Sequence, residues 1–197
     1  MLSKENFLKQ AVILCDTREQ KNQHILSAFD TVGVKYERKK LDFGDYSFRV
    51  GEKSFELVCA VERKASIDEL WNNTTQDRER FEKEIDAMSA ISHTANLLIE
   101  NCPDSNFLRN YRLDNRTMLM QGRKVSEIGK QIYATLQAWS CPNRYGLNVH
   151  YLSNNQDTAP FLLNHFYYYY HNYNNLTKPL KQEKHRESLR TIRQIGG

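Results

Sequence analysis

The stretch Val61-Glu-Arg-Lys-Ala-Ser-Ile-Asp-Glu-Leu70 sets an acid, two bases and two more acids directly after the apolar run Leu57-Val-Cys-Ala. Phe55–Lys64 reads as a strand rich in β-formers. Side chains alternate along a strand, so Glu62 and Lys64 project to one face and Arg63 to the other. Ser66-Ile-Asp-Glu69 then has the form of a capping box, with Ser66 as N-cap and Glu69 at the third helical position. The strand ends there and a helix begins. Asp68 and Glu69 complement the helix dipole, and Glu69 needs no other role. Glu62 and Lys64 are different, because charge at the end of a buried strand costs several kcal/mol unless something neutralises it.

A divalent cation would neutralise it. Gly44-Asp45 supplies a second carboxylate beside a flexible glycine at the start of a neighbouring extended segment. Asp plus Glu, with Lys two residues after the Glu, suits metal-dependent phosphodiester hydrolysis. Hard oxygen ligands hold Mg²⁺ or Mn²⁺ against the phosphate, while an ammonium orients the attacking water and stabilises developing negative charge.

Outward from this cluster, Ala11–Glu19 is an apolar run ending in polar residues, as in a central strand that opens onto a surface. Val34–Val50 reads as two extended segments around Asp42–Gly44, so that the first three runs predict a meander. Helical spacing follows at Phe81, Ile85 and Met88, at Val125, Ile128, Ile132, Leu136 and Trp139, and at Leu162, Leu163, Phe166 and Tyr170. Ala95–Glu100 and Leu147–Leu152 supply two further strands, and Asn101–Gly122 reads as a polar loop with some local helix. The pattern predicts an α/β fold with helices on the faces of the sheet.

At 197 residues with 40% apolar content, the chain suits one domain with a real core. The N-terminal apolar run is too short for a signal peptide or a membrane span, which predicts an intracellular protein with no membrane partner. That means cytoplasmic in a prokaryote or virus and nuclear in a eukaryote. Cys15, Cys59, Cys102 and Cys141 lie far apart without CxxC spacing and read as reduced, buried small hydrophobes. The six histidines lack ligand spacing. Four consecutive tyrosines, Tyr167–Tyr170, circle a helical turn, so some of them must be exposed. Phe107, Arg109, Tyr111, Arg112 and Arg116 interleave basic and aromatic residues and read as solvated loop. Leu176–Gly197 holds six Lys or Arg against two Glu, whereas the preceding residues are charge-balanced. The excess of positive charge is therefore in the tail.

Together, Asp16-Thr-Arg-Glu19, Gly44-Asp45-Tyr46, Glu62-Arg63-Lys64 and Asp68 resemble the nuclease domain of the XPF family of structure-specific DNA endonucleases, whose hallmark is GD, a spacer, then ERKxxxD. Arg80-Phe81 with Glu84 is similar to the family's RFxxE-like helix, and Ala95–Glu100 looks like its next sheet strand. The likeness is good over the first half of the chain and thins beyond Asn101.

The resemblance implies a restriction-endonuclease-like core, of the PD-(D/E)xK type, with a mixed β-sheet flanked by α-helices. It also implies cleavage of one DNA strand near flaps, forks or junctions. Carried over, Asp45 and Glu62 are metal ligands, with Asp16 and Glu19 completing the acidic pocket directly or through water. Lys64 orients the nucleophilic water, Arg63 anchors the local structure or a nearby acid, and Asp68 is divided between function and helix capping. Arg18 and Arg80 reach a phosphate or close a salt bridge. Residues 1–175 form the nuclease domain, and the tail, 176–197, offers Lys178, Lys181, Arg186 and Arg190 to DNA. Leu189–Gly197 looks like the start of the family's helix-hairpin-helix module. A neutral body with an acidic site predicts a need for a second copy or a partner subunit to hold DNA. No helicase-type phosphate loop is present, so no nucleotide cofactor is expected. The competing expectations are a non-catalytic nuclease-like subunit that scaffolds an active partner, and a restriction or junction-resolving nuclease of another family with the same core.

Overall fold

A computed structural model describes residues 2–92, 95–113 and 127–176. Helix α1 (Lys4–Gln10) starts at Ser3, whose Oγ accepts the Asn6 amide at 3.2 Å, and runs straight into strand β1 (Ala11–Asp16). Helix α2 (Gln23–Val32) ends at Gly33, held at φ 70°. There the amides of Gly33 and Val34 close back on the Asp30 and Phe29 carbonyls, the hydrogen-bond pair of a left-handed helix stop. Strands β2 (Lys35–Lys39), β3 (Tyr46–Val50) and β4 (Lys53–Ser54) follow, then β5 (Glu62–Lys64). Helices α3 (Ile67–Thr74) and α4 (Arg78–Ser92) lead to β6 (Asn96–Ile99), α5 (Ser105–Asn110), α6 (Ile128–Ser140), β7 (Asn148–Tyr151) and α7 (Thr158–Leu176).

The first three strands do not form a meander. β1 is central, parallel to β2 and antiparallel to β3, because α2 carries the chain over one face before β2 returns. The apolar stretch from Phe55 to Ala60 is not a strand either. It turns under the sheet with Phe55 and Cys59 fully buried, and only Glu62–Lys64 pairs as β5. The sheet of order β2-β1-β3-β4 joins the parallel sheet β5-β6-β7 through one antiparallel bridge, Tyr46 to Val61. The result is a mixed α/β architecture.

Alternation along β6 shows the two cores. Leu98 faces α1, α2 and α7 with Phe7, Phe29, Phe48 and Phe166, while Leu97 and Ile99 face α3, α4 and α6 with Leu70, Phe81, Ile132 and Trp139. In α7, Tyr167, Tyr169, Tyr170 and Tyr173 pack against the first core and Tyr168 stays exposed, as four tyrosines in one turn require. Cys15, Cys59 and Cys102 are buried free thiols, but Cys141 is exposed just beyond α6, contrary to expectation. The local helix expected within 101–122 is α5, capped by Asp104, and residues 114–126 lie outside the described set, Arg116 and Val125 included. No helix among the described residues is long and apolar enough to cross a membrane.

Candidate active site

Three strand ends are tied together by backbone. The Asp16 amide donates to the Asp45 carbonyl at 2.8 Å, and the Asp45 and Tyr46 amides donate to the Val61 carbonyl at 2.9 and 3.1 Å. Gly44 makes this possible. It sits at φ 69°, and a Cβ there would stand 3.1 Å from Ala60 Cβ and 3.3 Å from the Val61 oxygen. A side chain at this position is opposed both by conformation and by space. The glycine of the Gly-Asp pair is thus what lets Asp45 approach β5.

On β5 the alternation expected from sequence holds. Lys64 Nζ donates to Glu62 Oε1 at 2.6 Å and lies 4.6 Å from the centre of the Phe81 ring. Both charged side chains are buried, Glu62 at 4% and Lys64 at 5% exposure. Burial alone would lower the Lys64 pKa, but the charges of Glu62 and Asp45 outweigh it and hold the ammonium above the usual lysine value. The second oxygen, Glu62 Oε2, is buried without a hydrogen-bond partner among the described residues. A buried carboxylate oxygen left in that state is costly.

Asp45 is half-buried and its Oδ2 accepts the Arg63 amide at 2.7 Å. Burial, and then the Glu62 charge, push its carboxyl well above the usual range, against the opposing pull of Lys64 and the Arg63 amide. Glu84 of α4 is raised by burial and then by Glu62, with Lys64, Arg80 and Arg18 opposing. Three carboxyls therefore share one field with a single buried ammonium. Among the described residues no three His, Cys, Asp or Glu side chains converge as a complete metal cage. The Asp45–Glu62 pair nevertheless fits a hard divalent cation, since it offers an unsatisfied oxygen and mutually repelling carboxylates. Mg²⁺ in particular is commonly bound through one or two carboxylates plus water and substrate phosphate.

Asp16 and Glu19 are differently engaged. Asp16 is fully buried, and its Oδ1 accepts the Arg18 amide at 2.6 Å and Arg18 Nε at 2.8 Å. Its Oδ2 accepts Arg18 Nη2 at 2.9 Å and the Leu41 amide at 2.7 Å. Burial would raise the Asp16 carboxyl, but these donors together hold it below the usual range. Glu19 accepts Arg63 Nε at 3.2 Å and Nη2 at 3.1 Å. Arg63, on the opposite face from Lys64 as expected, also donates from Nη1 to Glu100 at 2.6 Å. Arg18, Glu19, Lys21, Asp45, Arg63 and Lys64 are among the residues lining a cleft of 430 Å³ at this end of the sheet.

Ser66 caps α3 by accepting the Glu69 amide at 3.2 Å, and Glu69 reaches back to the Ala65 amide at 3.0 Å. Asp68 lies away from the Lys64–Glu62 pair in its hydrogen bonding. Its Oδ2 accepts the Tyr111 hydroxyl at 3.4 Å, and its Oδ1 is buried without a partner among the described residues. Arg18 closes on Asp16 while its side chain remains 57% exposed. Arg80 is 65% exposed and reaches Glu84 at 3.8 Å. Lys178, Lys181, Arg186 and Arg190 lie outside the described residues. Glu84, which the sequence marked only as part of the Arg80-Phe81 motif, and Glu100, which it gave no role, also belong to the site. Glu100 ends an apolar strand, where a polar residue usually marks only the surface.

Comparison with known proteins agrees with the fold. Residues 15–165 match the family model described as ERCC4 domain. No curated protein matches the chain. Among solved structures, XPF from Aeropyrum pernix superimposes with a TM-score of 0.52 at 19% identity, over 79% of this chain and 59% of that one. XPF from Aeropyrum pernix in complex with DNA gives a TM-score of 0.54 at 16% identity, over 85% and 74%. The strand ends of this chain bring together the Gly-Asp and Glu-Arg-Lys segments, the fold is that of the XPF nuclease, and the chain belongs to the ERCC4 domain family.

Proposed function

We propose that this protein is a Mg²⁺- or Mn²⁺-dependent DNA endonuclease that hydrolyses a phosphodiester bond near a branch such as a flap, fork or junction. The observation that carries the proposal is the carboxylate pair of buried Glu62 and half-buried Asp45, with Glu62 Oε2 unpartnered among the described residues and Lys64 fixed beside it. Asp45 and Glu62 would hold the cation, which when bound supplies positive charge to the scissile phosphate. Lys64, protonated through the neutral range, orients the attacking water and stabilises charge on the phosphate rather than removing a proton. Arg18, exposed at the cleft, is positioned to meet a phosphate while its salt bridge with Asp16 fixes its direction. In this scheme Asp16 orients Arg18, and Glu19 shapes the cleft wall through Arg63.

DNA as the substrate is supported by family membership and by likeness to an XPF bound to DNA. The basic segment 176–197 would hold the polyanion together with a second copy or a partner subunit, since the rest of the chain is charge-balanced. The catalytic alternative is favoured over a scaffold subunit because a scaffold has no use for a buried carboxylate oxygen, Glu62 Oε2, left unsatisfied among the described residues beside a second carboxylate. The test is a panel of labelled duplex, flap, fork and four-way junction DNA with Mg²⁺, Mn²⁺ or EDTA. Cleavage of branched substrates with either metal, abolished by EDTA, is expected. Cleavage of none, or cleavage in EDTA, overturns the proposal.

A further inference from the structure

Arg63 sits at the crossing of two sets of contacts. Its backbone amide holds Asp45 Oδ2 at 2.7 Å, and its guanidinium holds both oxygens of Glu19 and the Lys21 carbonyl, at 3.0 Å for the latter. Behind it, on the face away from Lys64, Nη1 meets Glu100 Oε2 at 2.6 Å. Glu100 is 1% exposed and is itself fixed from two helices. Thr158 at the start of α7 donates to its Oε1 at 2.6 Å, and His24 of α2 lies 3.0 Å from the same atom. The Glu100 amide also donates to the Lys64 carbonyl at 2.9 Å, so one residue braces both neighbours Arg63 and Lys64 of β5.

From this chain of contacts we infer that Glu100, oriented by Thr158 and His24, is a positioning residue that locks Arg63 and thereby sets Asp45 for the cation and Glu19 in the cleft wall. The inference rests on the metal-dependent function proposed above and deepens it. Five donors in a fixed plane make Arg63 suited to bridging two carboxylates, and a guanidinium held on one side only can rotate away from the other. Groups behind metal ligands commonly change metal affinity about 10–100-fold when removed, by letting the ligands wander. The Glu100 side chain touches neither substrate nor ion and acts through the Arg63 guanidinium.

The test compares wild type with E100Q, T158V and T158S in the full chain. Two readouts are taken, calorimetric Mn²⁺ affinity and hydrogen exchange of the Arg63 Nε–H by NMR in metal-free protein. A thermal melt accompanies each variant. E100Q and T158V should weaken Mn²⁺ binding by about tenfold or more and speed Arg63 Nε–H exchange. T158S, which keeps the hydroxyl, should match wild type in both. If E100Q does not fold, T158V against T158S decides alone, because that pair leaves both the Arg63 and the Glu100 charge in place. A T158V protein that melts cooperatively yet binds Mn²⁺ as wild type does, or keeps wild-type Arg63 exchange, overturns the inference. Wild type that binds Mn²⁺ but cuts no DNA overturns the endonuclease function while affinity and exchange still report on Glu100. Wild type that binds no Mn²⁺ overturns both.

Discussion

Lys64 Nζ lies 2.6 Å from Glu62 Oε1, so the ammonium engages one oxygen of the carboxylate, while the other, Oε2, is buried without a hydrogen-bond partner among the described residues. The pair divides two tasks between the two ends of one short strand. In the proposed mechanism Glu62 keeps an oxygen for a cation, and Lys64 keeps its proton. Lys64→Ala should therefore lower single-turnover cleavage by about 100-fold or more, the scale of losing one preorganised electrostatic donor. Metal affinity should change much less, since an ammonium cannot ligate a cation. Single-turnover rates at saturating metal, with a calorimetric metal titration, separate the two effects. Equal losses in both would remove Lys64 from the chemistry.

The Lys64 pKa is raised above its ordinary value, so its stabilising contact with Glu62 is present throughout the neutral range and is lost only as pH rises through the raised value. The pH–rate profile should accordingly show no falling limb between pH 7 and about 10 that Lys64→Ala removes. A falling limb near pH 8 in wild type, absent from the variant, would mean that Lys64 deprotonates during the reaction.

Asp45 has the opposite consequence for stability. Its carboxyl is raised in the folded protein by burial and by Glu62, so folding is favoured below the ordinary aspartate pKa and that contribution is lost as pH rises through the raised value. Asp45→Asn keeps an acceptor for the Arg63 amide but cannot ionise. In EDTA near neutral pH, Asp45→Asn should melt about 2–4 °C above wild type, the shift that roughly 1 kcal/mol gives in a domain of this size. The gap should close as pH falls toward 4. A variant that melts below wild type at pH 7 would contradict the repulsion between Asp45 and Glu62.

Arg63 is 3% exposed between Glu19 and Glu100, and removing it leaves two carboxylates without their shared cation. Arg63→Ala should cost about 3–5 kcal/mol in chemical unfolding. Arg63→Lys should recover only part of that, because one ammonium cannot copy a planar fork. Full recovery by lysine would show that charge alone, without geometry, is what the position requires.

Deleting residues 177–197 should raise the DNA concentration needed for half-maximal cutting. A tail that contacts three phosphates would add about 2.7 to the slope of log affinity against log salt, and its deletion removes that slope. The single-turnover rate at saturating DNA should stay near wild type. Unchanged affinity and slope would move the DNA-holding surface into the body, first to the region between Arg109 and Lys124.

Strand alternation made the shared face of Glu62 and Lys64 legible, because a period of two depends on nothing beyond the local backbone. The capping box at Ser66 and Glu69 was legible for the same reason, its two hydrogen bonds spanning four residues at most. Longer-range matters were not. The segments around β2 and β3 lie close in sequence, so they look like a hairpin, yet β2 pairs with β1 after α2 crosses the sheet. Helix α2 carries only Ile25, Leu26 and Phe29 as buried residues, too short a repeat to stand out. Phe55–Ala60 shows that apolar content marks burial and not strand, since a buried turn has the same composition. At the site, no spacing rule shows that Arg18 closes over Asp16, or that Glu100 reaches Arg63 from a strand whose end is 37 residues away.

The most direct measurement is single-turnover cleavage of a labelled flap by wild type, Asp45→Asn and Glu62→Gln, each with saturating Mg²⁺ and with EDTA, after thermal melts confirm that all three are folded. Wild type should cut with Mg²⁺ alone, and both variants, equally folded and still bound to the flap, should show no cleavage above the EDTA background. A folded Glu62→Gln protein cutting at the wild-type rate would contradict the assignment of the Asp45–Glu62 carboxylate pair as the catalytic centre.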